Sequence, residues 1–287
     1  MILNYRNTAR THCQTAKDLL SSGTDDDVLL AALKLRMALE SITYDRSKGF
    51  AEDLGPEAMK TWQPKKLMER MLEVDPQADA DATLSFGEEP SLGETPETMQ
   101  LLGTDHVLNL RTLKKHYDAL GSYLHTPTLA QIEQGKVHDF ARLGQRCSKI
   151  IDALDAALSS KVWNSTFAIR GVMDCAECGS TIRRRLPKDM AERVVQCWSC
   201  PASYTMTEIE YQKVRFEPRQ VRVACPQQDC GSESYIWERN VERGKFWTCH
   251  DCKSQLTFAL GVAITPGHKP YRPTTGLSAV EHAAKLL

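Results

Sequence analysis

The chain has 287 residues, 41% of them hydrophobic and 25% charged, with a formal net charge of −1. That is long enough for two domains and has the composition of an ordinary folded protein. No apolar run approaches the ~18 residues of a membrane span. The opening Met1-Ile2-Leu3-Asn4-Tyr5-Arg6 lacks the apolar core of a secretory leader. The expectation is therefore a cytoplasmic protein in a reducing compartment, with no membrane partner.

Taken in order, residues 5–20 read as a helix, broken by Ser21-Ser22-Gly23-Thr24. The acidic Asp25-Asp26-Asp27 suits the positive end of a helix dipole. Residues 28–42 then place apolar side chains at three- and four-residue steps, predicting a core helix with Lys34, Arg36 and Glu40 on its wetter face. Residues 64–72 predict a shorter helix opened by Pro64 and ended at Asp75-Pro76. Residues 75–103 are rich in Asp, Glu, Gly and Pro, and a bare loop of that length is unusual, so strand or turn structure is expected within it. Two longer helices follow, over about 105–124 and 129–158. Cys13 and Cys147 fall on helical segments and read as small buried apolar residues.

The helix over 105–124 contains Arg111-Thr112-Leu113-Lys114-Lys115-His116 and ends in Gly121-Ser122-Tyr123-Leu124-His125. Together with Leu35-Arg36-Met37-Ala38-Leu39-Glu40, these stretches resemble the HEPN-like helical domains of prokaryotic defence and restriction proteins, over at most residues 1–158. The resemblance implies a helical bundle that self-associates as a homo-oligomer. Members that are ribonucleases carry an Arg-x4–6-His motif, a spacing that Arg111 and His116 meet, although Thr112 stands where Asn, Asp or His is common. Such a pair needs no metal: histidine takes the proton of an RNA 2′-hydroxyl and arginine holds the charge developing on the phosphate. The alternative is that His125 is the matching family histidine and packs the helix end beside Pro127. Residues five apart also lie about 140° apart around a helix.

From Ala168 onward short β-prone runs alternate with cysteine pairs. Eight of the ten cysteines form Cys175-x2-Cys178, Cys197-x2-Cys200, Cys225-x4-Cys230 and Cys249-x2-Cys252, with 18 residues between the pairs of each half. Four thiolates complete a tetrahedral Zn2+, and short turns let two sulfurs face one ion. Disulfides are the competing reading in a secreted chain, and an iron–sulfur centre the competing metal. In the first half, residues 181–186 and 192–196 flank a turn at Pro187-Lys188-Asp189 and predict a hairpin between knuckles. In the second, residues 234–239 and 245–248 flank Glu242-Arg243-Gly244, while 208–217 read as a link. Each half resembles a zinc ribbon, together a tandem pair over about 172–260, which implies two structural Zn2+ with no open catalytic position.

Charge is divided unevenly: residues 1–159 hold 18 Lys+Arg against 24 Asp+Glu, residues 160–287 hold 18 against 13. Eight thiolates with two Zn2+ would bring the basic excess of the second part from five to about one, so the distribution carries the argument. Arg183, Arg184, Arg185 and Lys188 crowd the first half, and Arg239, Arg243 and Lys245 the second. Trp198, Tyr204, Trp237, Phe246 and Trp247 offer stacking faces beside them. Guanidinium forks and aromatic faces together suit DNA or RNA. The plainer alternative is that Trp198 and Trp247 cover the metal clusters while the arginines offset their negative charge.

The expected fold class is thus α plus small β: a helical bundle over 1–160, ribbons over 161–212 and 213–262, and an extended tail over 263–287 ending in a short C-terminal helix at 277–287. The expected function is nucleic-acid recognition in a bacterial defence or mobile-element system. The rivals are a metal-independent ribonuclease using Arg111 and His116, and an adaptor that docks a larger protein. The chain holds no phosphate-binding Gly-x4-Gly-Lys-Ser/Thr loop, Gly-x-Gly-x-x-Gly, His-Glu-x-x-His or Gly-x-Ser-x-Gly, which removes the simplest support for nucleotide, protease and hydrolase readings.

Overall fold

Helix starts follow their caps. In the computed structural model α1 (Tyr5–Ser22) opens where the Asn4 side chain accepts from the Asn7 N–H, and closes at Gly23 with φ 79°, a left-handed position that glycine adopts cheaply. Thr24 caps α2 (Asp25–Ser47), and three aspartates occupy its first turn. This helix continues past the predicted end at 42 because Thr43, Asp45, Arg46 and Ser47 are buried and partnered. Arg46, for example, donates to Asp105 at 2.6 Å and to the Ala78 carbonyl at 3.0 Å. A short turn at Lys48–Phe50, α3 (Pro56–Met59) and α4 (Pro64–Val74) follow. The model describes residues 3–91, 94–135, 138–165, 168–187, 190–210 and 212–259, so Lys188 and the expected helix at 277–287 lie outside the described residues.

The acidic stretch after α4 contains an antiparallel hairpin, β1 (Ala82–Phe86) with β2 (Gln100–Asp105), with an irregularity between Leu84 and Ser85. Asp105 therefore ends a strand, where a helix was expected to begin. That helix, α5 (Leu110–Tyr123), starts at the Asn109 cap. The single helix predicted over 129–158 is two: α6 (Leu129–Glu133), with a reciprocal Thr128–Gln131 cap, and α7 (Phe140–Ser159), capped by Asp139. Gly135, at φ 70°, interrupts them.

The helices bury one apolar core with α2 at its centre, packed by α1, α4, α5 and α7. Small residues set the closest approach: Ala9 and Ala16 of α1, and Ala31, Ala32 and Ala38 of α2, are all fully buried. Leu67, Met71, Leu113, Leu120, Ile150 and Leu154 fill the rest. Cys13 and Cys147 are 2% and 0% exposed, and burial pushes both thiols up to about 11, so they remain protonated core residues.

Nine further strands make four small antiparallel sheets, and their pairing differs from the expected one. β3 (Ala168–Asp174) pairs with β4 (Thr181–Pro187), and β5 (Glu192–Gln196) with β6 (Ser203–Glu210), which also pairs with β7 (Lys213–Pro218). β8 (Gln220–Ala224) pairs with β9 (Glu233–Trp237), and β10 (Phe246–Thr248) with β11 (Gln255–Thr257). The hairpin expected across Pro187 is thus corrected: β4 and β5 belong to different sheets, each pairing across a cysteine knuckle. The stretch read as a link, 208–217, lies within β6 and β7. Residues up to Arg219 form one compact unit and those from Gln220 another. Among the described residues, no helix is long and apolar enough to cross a membrane.

Candidate metal centres and the arginines around them

Each cysteine pair sits in a tight knuckle joining two paired strands. In the three Cys-x2-Cys knuckles the first cysteine's N–H closes the turn onto a carbonyl five residues on: Cys175 to Ser180, Cys197 to Ala202, Cys249 to Ser254. The longer Cys225-x4-Cys230 knuckle closes onto Ser232, its two extra residues absorbed in the turn. Gly179 and Gly231, each just after the second cysteine, have φ of 73° and 62° and turn the chain back into a strand without a Cβ penalty.

The knuckles meet in pairs. Cys175, Cys178, Cys197 and Cys200 bring their sulfurs within 4.8 Å of one another, and so do Cys225, Cys230, Cys249 and Cys252. Cross-knuckle sulfur separations are 3.6 Å for Cys175–Cys200, Cys178–Cys197 and Cys225–Cys252, and 3.7 Å for Cys230–Cys249. A tetrahedral ion with bonds of ~2.3 Å holds its sulfurs ~3.8 Å apart, whereas a disulfide needs ~2.05 Å. The donor set and spacing therefore fit a metal ion and do not fit disulfides; all eight thiols are free.

The surroundings favour thiolate at Cys175, Cys178, Cys249 and Cys252, while the thiols of Cys200, Cys225 and Cys230, beside those sulfurs, are pushed up. Burial opposes ionisation of Cys175, but the Tyr204 hydroxyl and the N–H groups of Cys178 and Glu177 outweigh it and draw this thiol down to about 6. In the second cluster the N–H groups of Cys252 and Asp251 draw Cys249 down to about 6. Tyr204 is 1% exposed; its oxygen accepts from the Ala176 N–H at 2.9 Å and lies 3.2 Å from Cys175 Sγ. It is a support for the cluster and not a stacking face.

The first cluster is fixed to the helices by arginines. Arg185, buried, donates through Nε to Asp53 at 2.8 Å and through Nη2 to the Gly49 carbonyl at 2.7 Å, and stacks on Phe50 at 4.3 Å. Arg170 reaches the same carboxylate from β3, at 3.4 Å. Arg193 closes the C-terminal end of α4, donating to the carbonyls of Val74 at 3.0 Å and Glu73 at 2.9 Å, and also to that of Arg185 at 2.9 Å. Arg184 lies 4.2 Å over the ring of Trp198, whose indole N–H donates to Glu73. Burial pulls the Arg184 guanidinium down to about 10, still charged at neutral pH. Opposite it, a Cβ on Gly171 would come within 2.7 Å of Met206 and Val214, so only glycine lets β3 approach the sheet beneath.

Of the arginines expected to face nucleic acid, Arg184 and Arg185 are each 2% exposed and are corrected to internal residues. Both faces of β4 are covered from Arg184 onward, so alternation along the strand brings neither to solvent. Arg183 is exposed. In the second unit Trp237 is also internal, 8% exposed, with the half-buried Arg239 guanidinium 5.6 Å from its ring. Arg243 and Lys245 are exposed on the turn before β10, next to Phe246 at 69% exposure. Tyr235, 60% exposed, stands opposite Arg222 in the β8–β9 register. Tyr235 and Arg222 were missed as candidates; alternation puts Tyr235 on the same strand face as the buried Trp237, so no local signal marked its exposure.

Arg111 is exposed and His116 half-buried on α5. Burial, then the charges of Lys115 and Arg146, lower the imidazole pKa, and its Nδ1 is buried without a hydrogen-bond partner. His125 is exposed, and its carbonyl lies 3.1 Å from His138 Nε2. No family model, curated protein or solved structure matches the chain. The HEPN-like resemblance of residues 1–158 accordingly rests on the residues alone.

Proposed function

We propose that the protein is a nucleic-acid-binding protein of the tandem zinc-ribbon type, with one structural Zn2+ in each four-cysteine cluster and its contact surface on residues 220–259. The observation that carries the reading is the set of exposed basic and aromatic residues in that unit: Arg243 and Lys245 beside Phe246, and Tyr235 opposite Arg222, which also pairs with Glu233. Cations on a turn meet phosphates, and exposed rings take unpaired bases. Four thiolates leave the metal no open position, so its role is to fold a unit with little apolar core. The helical part, read as a bundle, self-associates in this proposal. Its support is an apolar stripe of Leu30, Leu33 and Met37 on α2, exposed by 49%, 40% and 37%.

The test is fluorescence anisotropy of single-stranded DNA and RNA oligonucleotides with the metal-loaded protein across a salt series. Phosphate contacts predict an affinity that falls steeply as salt rises. No binding, or binding indifferent to salt, would sink the proposal and leave protein docking in its place.

A second reading, metal-independent RNA cleavage, draws support from His116, whose burial keeps the imidazole neutral and able to accept a proton. It predicts cleavage to a 2′,3′-cyclic phosphate that is lost in His116→Ala and in Arg111→Ala. RNA left intact by the unmodified protein would end it.

A further inference from the structure

A cavity of about 520 Å³ lies at the start of α1, away from both cysteine clusters in sequence and built only from residues of the first unit. Among the described residues, its wall includes Arg6, Arg10 and Lys48 against one carboxylate, Asp45, and a single aromatic ring, Trp163. Three cations against one lining carboxylate leave the wall net positive, although Asp105 also acts on Arg6. The first turn of α1 carries no acidic residue, so the helix end that favours anions is not already occupied by a carboxylate.

The cations have structural work as well, and it does not exhaust them. Arg6 donates to the Ala157 carbonyl at 2.6 Å and Arg10 to that of Leu158 at 3.0 Å, together closing the last turn of α7. Arg10 also donates to Asn7 at 2.9 Å, which uses two of the five donors a guanidinium has. Arg6 is 6% exposed and lies 3.6 Å from Asp45, yet its Nε has no hydrogen-bond partner among the described residues. Such a buried polar atom is costly unless something supplies an acceptor. Lys48 lies 3.7 Å from Asp45, with its side chain 42% exposed. Asp45 is itself held by the Asn164 amide, which donates to its carbonyl at 3.0 Å.

Trp163 gives the cavity its second chemical character. Arg6 lies 4.8 Å from the ring centre, so the indole is braced by a cation, yet the residue remains 47% exposed. A large exposed indole beside an excess of positive charge suits a ligand that joins a planar ring to a doubly charged anion. Inorganic phosphate would leave the ring unused, and a neutral base would leave the charge unused. The volume is within the usual range for a small-molecule site.

We propose that this cavity binds a phosphomonoester nucleotide, with the phosphate at Arg10, Lys48 and the N-terminus of α1 and the base against Trp163. The nucleotide can come from two sources, free in solution or as the 5′-phosphorylated end of a strand. The site is independent of the cysteine clusters and of the surface proposed on residues 220–259.

The test is calorimetric titration of the full metal-loaded chain with AMP, adenosine, inorganic phosphate and a 5′-phosphorylated adenosine tetranucleotide. AMP is expected to bind at least about tenfold more tightly than either adenosine or phosphate, because each of those keeps only one half of the recognition. Lys48→Ala and Trp163→Ala should each weaken AMP about tenfold, Lys48→Ala being a surface change that leaves the fold intact. Trp163→Phe, which keeps a ring in place, should fall between the unmodified chain and Trp163→Ala. Tetranucleotide binding as tight as AMP assigns the site to strand ends, and AMP binding alone assigns it to free nucleotides; both support the proposal. It is overturned if neither phosphorylated probe binds at about 5 mM. It is equally overturned if phosphate binds as well as AMP, or if Lys48→Ala and Trp163→Ala leave the affinity unchanged.

Discussion

The two cysteine clusters share ligand type, knuckle geometry and sulfur spacing, yet their settings differ. Around the first, the basic residues turn inward: Arg184, Arg185 and Arg193 are spent on Trp198, Asp53 and the end of α4. Around the second, Arg243 and Lys245 stand in solvent beside an exposed phenylalanine. The same residue type beside the same metal-ligand pattern is thus structural in one place and available in the other. What separates them is whether a partner surface is present within the unit, because a buried guanidinium needs carboxylates and carbonyls to replace water.

Removing the metal should produce the largest effect and divide the chain along this contrast. Binding energy for a structural zinc site runs to about 10–16 kcal/mol, and residues 220–259 have few buried apolar residues to replace it. Chelation should therefore leave this unit fully open to protease, while residues 5–159 keep their helical circular dichroism because their core is built by helices. Simultaneous loss of the helices would break the contrast.

Next in size is Arg185→Ala, which leaves the buried Asp53 with Arg170 as its remaining cation and should destabilise the first unit by about 1.5–3 kcal/mol in urea unfolding. A shift under about 1 kcal/mol would mean that the first cluster is not anchored through this pair. Tyr204→Phe should be milder. It removes the hydroxyl that supports Cys175 and should lower metal affinity at the first cluster by about 10- to 100-fold, with no change at the second. Competitive titration against a chromogenic chelator would read both sites, and equal weakening at the two would contradict the assignment.

The smallest effect on stability belongs to Arg243→Ala with Lys245→Ala, expected within about 0.5 kcal/mol. The same pair should reduce the salt dependence of oligonucleotide binding by about one unit of slope per cation removed. Unchanged binding would move the contact surface elsewhere.

Features set within a few residues were the legible ones. The cysteine clusters follow from pair spacing because each knuckle is closed by a bond five or seven residues long. Helix starts after Thr24 and at Pro64 follow from first turns, whereas the start at Asp139 lay unread inside the single helix expected over 129–158. Partners far apart were not legible. Arg185 and Asp53 are separated by 132 positions, so nothing local distinguishes it from the exposed Arg183 two residues earlier. The strand pairing was misread because the turn residues at Pro187 are as good a hairpin signal as the knuckles, and packing against the helices decided between them.

Trp198 turns the joint between helices and cluster into something that can be watched. Its ring lies between Arg184 and the α4 residue Glu73, one position after Cys197 of the first cluster. Loss of the ion or of the joint would place this indole in water, and its emission would shift to the red. The chain therefore carries an intrinsic optical reporter of the very contact that makes its two cysteine clusters unequal.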